Sequence, residues 1–180
     1  MRVEKYFVYT GNAYPHKNLA RLVDAMVLLN KKYRVKLKIS SSRGVFTDRL
    51  LNLIKEKNAL NYVQLLGYVS DEKISNLYEK SVAFVFPTLS EGFGLPPKEA
   101  IEAGTFAVIS AIPVLKEVYK DSVIFFDPFD VKSIADSLEK VLKMNESERQ
   151  ERIKLAQKFL KRYSWQKMAE ETLKVYESVV

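Results

Sequence analysis

Along this chain, short β-rich apolar runs alternate with segments whose apolar residues recur at helical spacing. KYFVYTG (5–11), VKLKIS (35–40), YVQLLG (62–67), VAFVFP (82–87), FAVIS (106–110) and SVIFFD (122–127) have strand length and are rich in β-branched and aromatic residues, which suit a pleated surface. Between them, NLARLVDAMVLLNKKY (18–33), TDRLLNLIKEKN (47–58) and SDEKISNLYEKS (70–81) place apolar residues three and four apart, the spacing of one helix face. Thr47 and Ser70 stand where helix N-caps are expected. A helix over about 96–103, ended by Gly104, and a short one over 113–119 follow, and helical stretches at 131–144, 146–163 and 165–179 close the chain. Strands that alternate with helices predict a parallel sheet covered on both faces. The expectation is one Rossmann-like, doubly wound α/β domain over residues 1–180, with a six-stranded parallel sheet.

Sheets of that kind take ligands outside the carboxyl ends of their strands, so the strand exits are where chemistry is to be sought. The first exit is TGNAYPHKN (10–18). Gly11 permits a tight turn, and Lys17 stands beside a helix start at about Asn18. An ammonium and free backbone N–H groups at a helix N-terminus suit a phosphate or diphosphate. His16, the only histidine, reads equally well as a surface turn residue or a ligand contact. The second exit, SSSRG (40–44), offers hydroxyls and Arg43 to an anion. At the third, Gly67 allows a flat ring to approach the backbone beside Tyr68 and Val69.

The fourth exit is PTLSEGFGLPPKEA (87–100). Gly92 and Gly94 suit positive φ or close ligand approach, and Pro96 and Pro97 suit a helix start. The N–H groups of that helix would seat negative charge. Glu91 precedes the glycine turn, and Glu99 is expected in about the first turn of the helix. Two carboxylates beside a phosphate seat repel phosphate and therefore suit hydroxyl pairs, since one carboxylate accepts from two vicinal hydroxyls. A diphosphate with a sugar at each end, a nucleotide sugar, satisfies both halves of that requirement. Each glutamate also has a bland reading: Glu91 as a solvated loop acid, Glu99 as an acid complementing the helix dipole.

Composition narrows the classes further. With 180 residues, 47% of them hydrophobic, the chain is long enough for one full-sized core. It has no cysteine, which excludes disulfides, thiolate metal sites and a cysteine nucleophile. No apolar run approaches the roughly 20 residues that cross a bilayer, and MRVEKYFVYTG leads straight into a strand pattern without a signal-peptide core. A cytoplasmic location is expected. The net charge of +7 arises from 29 basic and 22 acidic residues, mostly interleaved, and no nucleic-acid signature accompanies it. The basic excess is strongest in RQERIKLAQKFLKRYSWQK (149–167). That segment reads as a solvated helix face, with contact to an anionic membrane surface as the alternative.

EGFGLPPKE (91–99) resembles the Glu-x7-Glu signature of retaining GT-B glycosyltransferases, most closely the family 4 group. TGNAYPHKNLARLVDA (10–25), LLGYVSDEKISNLYEKSVAFVFPTLSEGFGLPPKEA (65–100), FFDPFDVKSIADSL (125–138) and YSWQKMAEETLKVY (163–176) resemble the C-terminal, donor-binding domain of that family in its usual order. The resemblance covers essentially the whole chain. It implies a hexosyltransferase, mannosyl- or glucosyl-, working with retention of configuration. It assigns Glu91 to donor-sugar hydroxyls, the backbone of Gly92, Phe93, Gly94 and Leu95 to sugar and diphosphate, and Glu99 to the ribose hydroxyls. Lys17, with Gly11, Asn12 and His16 around it, would hold the diphosphate and stabilise it as leaving group. The Tyr68–Val69 backbone would border the base. Glu91 and Lys17 are thus the catalytic candidates, Glu91 as a positioning carboxylate and not a nucleophile. The resemblance implies no cofactor and no metal, the nucleotide sugar being a substrate.

Three departures stand out. Many relatives carry an arginine near Asn12, making an Arg–Lys clamp; here His16 or Arg43 is left to compensate. SSSRG stands where glycine-rich sequence is common, and Phe106 follows AGT where proline is usual. The resemblance further implies an N-terminal acceptor domain that this chain lacks. An acceptor glycan or lipid-linked sugar would then be held by that domain or a partner subunit, and the isolated chain would transfer poorly or not at all. The apolar face of 165–179 would be partly exposed, inviting a homodimer through the C-terminal helix. No nucleic-acid partner is expected, and peripheral membrane contact would place the protein at the inner face of the membrane. A non-catalytic nucleotide or nucleotide-sugar sensor on the same fold is the alternative function.

Overall fold

The computed structural model describes residues 4–179. Six strands, β1 (Tyr6–Thr10), β2 (Lys36–Ser40), β3 (Val63–Gly67), β4 (Ala83–Phe86), β5 (Ala107–Ser110) and β6 (Ile124–Phe126), form one sheet in the order β3-β2-β1-β4-β5-β6. Every pairing is parallel. Eight α-helices accompany them among the described residues: α1 (Leu19–Asn30), α2 (Val45–Glu56), α3 (Asp71–Glu79), α4 (Leu95–Glu102), α5 (Pro113–Tyr119), α6 (Val131–Lys143), α7 (Glu146–Leu160) and α8 (Trp165–Ser178). Helix α1 packs on α2 and α6, while α4 packs on α3 and α7. These two groups are the covers of the two sheet faces, as a doubly wound sheet requires.

Burial follows the covering. β4 and β5 are buried at every residue, and β1 at all but Thr10. Their AFVF and AVIS sequences are therefore continuous apolar runs. β2 alternates instead: Leu37 and Ile39 are buried, whereas Lys36 and Lys38 face a more open side and pair with Glu4 at 2.5 and 3.5 Å. The Lys38 ammonium also lies 3.8 Å from the centre of the Tyr6 ring.

The helix ends mostly obey local chemistry. Gly104 takes φ +85°, its N–H bonds to Ile101 O and the Thr105 N–H to Ala100 O, closing α4 with a Schellman motif. Asp130, Asn145 and Ser164 accept side-chain capping bonds at the starts of α6, α7 and α8. Thr47 does not cap α2. The helix begins earlier, at Val45, and the Thr47 hydroxyl donates to Ser42 O (2.8 Å), holding the preceding loop against the first turn. Ser70 occupies the N-cap position of α3 with extended backbone, but its hydroxyl makes no capping bond. α8 has no buried residue, and Trp165, Met168, Leu173 and Tyr176 on it are exposed. No helix among the described residues is long and apolar enough to cross a membrane.

Tyrosines buried in this core, Tyr9, Tyr78 and Tyr119 most strongly, make stability sensitive to alkali. Tyr78 shares a 2.6 Å hydrogen bond with Thr10, and burial pushes its hydroxyl up to about 12. Burial also raises Tyr9 and Tyr119 strongly. In the unfolded chain these phenols ionise near pH 10 while the folded chain keeps them neutral, so the unfolded state binds fewer protons above that pH. The stabilisation is complete below pH 10 and declines as pH rises toward 12, by something on the order of 1 kcal/mol per pH unit for each tyrosine. Urea midpoints measured from pH 8 to 12 are expected to fall above pH 10, with a shallower fall in Tyr78→Phe. An equal slope in the variant would remove Tyr78 from this account.

Candidate functional site

The sheet order reverses between β1 and β4: the chain leaves β1 toward β2 and leaves β4 toward β5. Loops that part in opposite directions leave a crevice at their carboxyl ends, the switch point where open α/β sheets take ligands. The segments at this crevice are 11–18, after β1, and 87–94, after β4.

Several bonds lock the two loops together. The Leu89 N–H donates to His16 O at 2.7 Å, and the buried Thr88 hydroxyl reaches His16 O and Ser90 O at 3.3 and 3.0 Å. Asn18, also buried, donates from its amide to Pro87 O at 3.0 Å. Between these ties the Lys17 ammonium meets Glu91 Oε1 at 2.5 Å, both side chains being largely covered (13% and 14% exposed). The same ammonium lies 5.4 Å from the centre of the Phe86 ring. Seventy-four residues apart in sequence, the two residues form one ion pair.

Gly11 takes φ +135°, and its N–H donates to Ser40 O (3.0 Å). The Tyr9 hydroxyl, buried beneath the loop, donates to Asn12 O (2.7 Å), and Asn12 Oδ1 accepts from the Tyr14 N–H (3.3 Å). Asn12 is thus occupied in shaping the turn. His16 contributes its carbonyl to the loop contact, while its residue is exposed and its ring lies 6.1 Å from that of Tyr14. Farther along the sheet edge, the Ser41 N–H and the Ser40 hydroxyl both donate to Gly67 O (3.1 and 3.2 Å). The exits of β1, β2 and β3 are thereby stitched side by side. Tyr68 is 76% exposed there, beside half-buried Val69, and Arg43 is exposed on the β2 exit.

On the β4 side only one of the two glycines has a special conformation. Gly94 adopts φ +82° and is the N-cap of α4, and its carbonyl accepts a short hydrogen bond from the Tyr119 hydroxyl. Gly92 does not have positive φ and has open space where a side chain would stand. The Phe93 ring turns away to pack edge-on against Tyr163, centroids 5.2 Å apart. α4 starts at Leu95, one residue earlier than the Pro-Pro pair suggests, so Glu99 is its fifth residue and its first turn holds no acid. Glu99 is exposed, and its charge helps to raise the hydroxyls of Tyr78 and Tyr119. Its carboxylate thus lies within electrostatic reach of the Tyr78–Thr10 pair at the end of β1.

The structure therefore places Gly11, Asn12, His16 and Lys17 on the β1 exit, Glu91, Gly92 and Gly94 on the β4 exit, and Leu95 and Glu99 on α4, and of these it brings Lys17 and Glu91 into contact. Tyr68 and Val69 lie two strands away from β1, and the Phe93 ring is engaged with Tyr163. The sequence alone does not single out Asn18, Thr88 or Tyr9 for these loops. Asn18 carried the one usable signal, an asparagine directly before a helix, where a left-handed conformation is tolerated.

The sequence model of the family described as glycosyl transferases group 1 matches residues 3–177. The chain belongs to that family. It is 33% identical over 174 residues to the O-antigen chain mannosyltransferase B of Escherichia coli, covering 96% of this chain and 45% of that one. It is 30% identical over 138 residues to the O-antigen chain mannosyltransferase RfbU of Salmonella typhimurium, with 77% and 38% covered. This group 1 chain thus spans less than half the length of either relative. In fold it is similar to a Staphylococcus aureus TarM mutant solved with Fondaparinux, alpha-GlcNAc-glycerol and UDP, with a TM-score of 0.86, 22% identity, and 98% of this chain and 36% of that chain covered.

Proposed function

We propose that this chain is the donor-binding half of a retaining glycosyltransferase, which holds a nucleoside-diphosphate hexose while another domain or subunit presents the acceptor. The observation that carries the reading is the placement of one cation and two carboxylates around the β1/β4 switch point. Lys17 and the N-terminus of α4 supply positive charge, and Glu91 and Glu99 supply hydroxyl acceptors on either side. From the β3 exit to the β4 exit is three strand spacings, roughly 14 Å, the span that would separate a base beside Tyr68–Val69 from a sugar at Glu91. The mannosyltransferase relatives make mannose the first sugar to test.

In the transfer step the bond from the anomeric carbon to the diphosphate oxygen breaks, a bond from that carbon to the acceptor's hydroxyl oxygen forms, and negative charge accumulates on the departing diphosphate, which then takes up the acceptor's proton. Lys17 and the α4 N–H groups are read as the positive groups that meet that charge, which is where a preorganised site lowers a barrier most. A diphosphate leaves without a protonating acid. Glu91 is accordingly read as holding sugar hydroxyls, and Glu99 as holding the ribose.

The test is calorimetric titration of the chain with UDP, GDP and ADP, and with inorganic diphosphate. One nucleotide is expected to bind, and Glu99→Ala to weaken it about tenfold, the loss of a charged hydrogen-bond acceptor, while leaving inorganic diphosphate unaffected. Binding of no nucleotide by either this chain or the full-length protein would refute the reading, and an unchanged affinity in Glu99→Ala would remove the ribose assignment.

A further inference from the structure

We infer that Asn18 is a positioning residue that sets the Lys17 ammonium, a role that rests on the donor-binding reading of this crevice. Asn18 is 4% exposed and takes φ +59°, ψ +29°, a left-handed conformation that among coded residues only glycine, asparagine and aspartate adopt with ease. Its side-chain amide spends both hydrogens on main-chain acceptors. One goes to Pro87 O (3.0 Å), just beyond β4, and the other to Pro128 O (2.8 Å), just beyond β6. Its Oδ1 accepts from Arg21 Nη1 at 2.9 Å. A single buried side chain therefore clamps the β1 exit to the exits of two other strands.

Lys17 is the residue between two such fixings. On one side His16 O accepts from Leu89 and Thr88, and on the other Asn18 holds Pro87 and Pro128. Both fixings engage the segment that leads within a few residues to Glu91. The backbone that carries the cation is thus referenced to the backbone that carries the carboxylate. No other side chain meets every requirement of the position. Glycine tolerates the backbone but has no donors. Aspartate tolerates it too but would turn a carboxylate toward two carbonyl oxygens. Serine has one donor, and glutamine is too long for the same reach.

Two double-mutant cycles on this chain test the inference. In the first, Asn18→Gly is combined with Lys17→Ala, and affinity for whichever nucleoside diphosphate the wild type binds is measured. Asn18→Gly is expected to weaken binding about tenfold when Lys17 is present and less than about twofold when it is absent. An equal loss in both backgrounds would show a structural role only and overturn the inference. The second cycle needs no ligand: the coupling between Lys17→Met and Glu91→Gln in urea denaturation is measured in the wild-type background and again in the Asn18→Gly background. The coupling is expected in the first and lost in the second, and an unchanged coupling would overturn the inference. If neither this chain nor the full-length protein binds a nucleotide, the donor reading fails while the second cycle still decides the role of Asn18. Should Asn18→Gly not fold, Asn18→Asp, which keeps the backbone preference and the Arg21 acceptor but loses both donors, carries the same cycles.

Discussion

Lys17→Ala is expected to weaken binding of a nucleoside diphosphate about 100-fold. A hydrogen bond to a charged group contributes roughly 1.5–3 kcal/mol, and two further effects push toward the upper end. The ammonium is largely covered by Phe86 and the β4 exit, so its field is poorly screened. Its removal also leaves Glu91, 14% exposed, as an unbalanced carboxylate facing the incoming diphosphate. The same geometry makes Glu91→Gln move the other way. In the free protein Glu91 competes for the Lys17 ammonium at 2.5 Å, so the amide is expected to leave affinity for free nucleoside diphosphate unchanged or higher. Transfer of sugar by the full-length protein is expected to fall in both variants. Calorimetry of the two variants side by side checks the sign. A similar weakening in both would mean that the pair acts as a structural unit and not as cation and competitor.

The second large effect is on stability. Gly94→Ala is expected to lower the melting temperature by about 10 °C. A β-carbon at Gly94 would stand 2.5 Å from Leu115 Cδ2, 3.7 Å from Phe86 Cε1 and 3.9 Å from Tyr119 Cε2, all buried side chains, so the end of Leu115 must shift within the core. Left-handed backbone for a residue with a β-carbon costs roughly 1–2 kcal/mol, and overpacking a dense core about 1–3 kcal/mol more. For a domain of this size each kcal/mol is worth roughly 2–4 °C. Gly92→Ala, two residues earlier, meets nothing within 4 Å and has no positive φ, so its effect should stay within about 0.5 kcal/mol. Scanning calorimetry of the two variants separates them, and equal melting temperatures would contradict the packing at Gly94.

That pair of glycines also marks how far the sequence could be read. GFG announces a turn of unusual backbone, but turn chemistry is a property of neighbouring residues and does not say which glycine stands under Leu115, twenty-one positions away. Thr47 is a similar case: a hydroxyl before an apolar run is a fair capping signal, yet the loop after β2 folds back and takes that hydroxyl for itself. Asp130, Asn145 and Ser164, whose loops make no such demand, do cap their helices. The start of α4 slipped by one residue because proline is comfortable at any position of a first turn, not the first alone.

The sequence by itself determined the alternation of six strands with helices, the parallel sheet this implies, and the two glutamates and one lysine on strand exits. Those features are local: periodicities of two and 3.6, turn residues, and a spacing read within a few residues of itself. Only the tertiary structure decided that β1 and β4 are neighbours at the point where the strand order reverses. It also decided that Lys17 and Glu91 touch, and that a buried asparagine ties three strand exits together. Strand order is settled by which long-range pairings bury the most apolar surface with right-handed crossovers, a competition over the whole chain. The ion pair and the clamp exist only once that competition has been resolved.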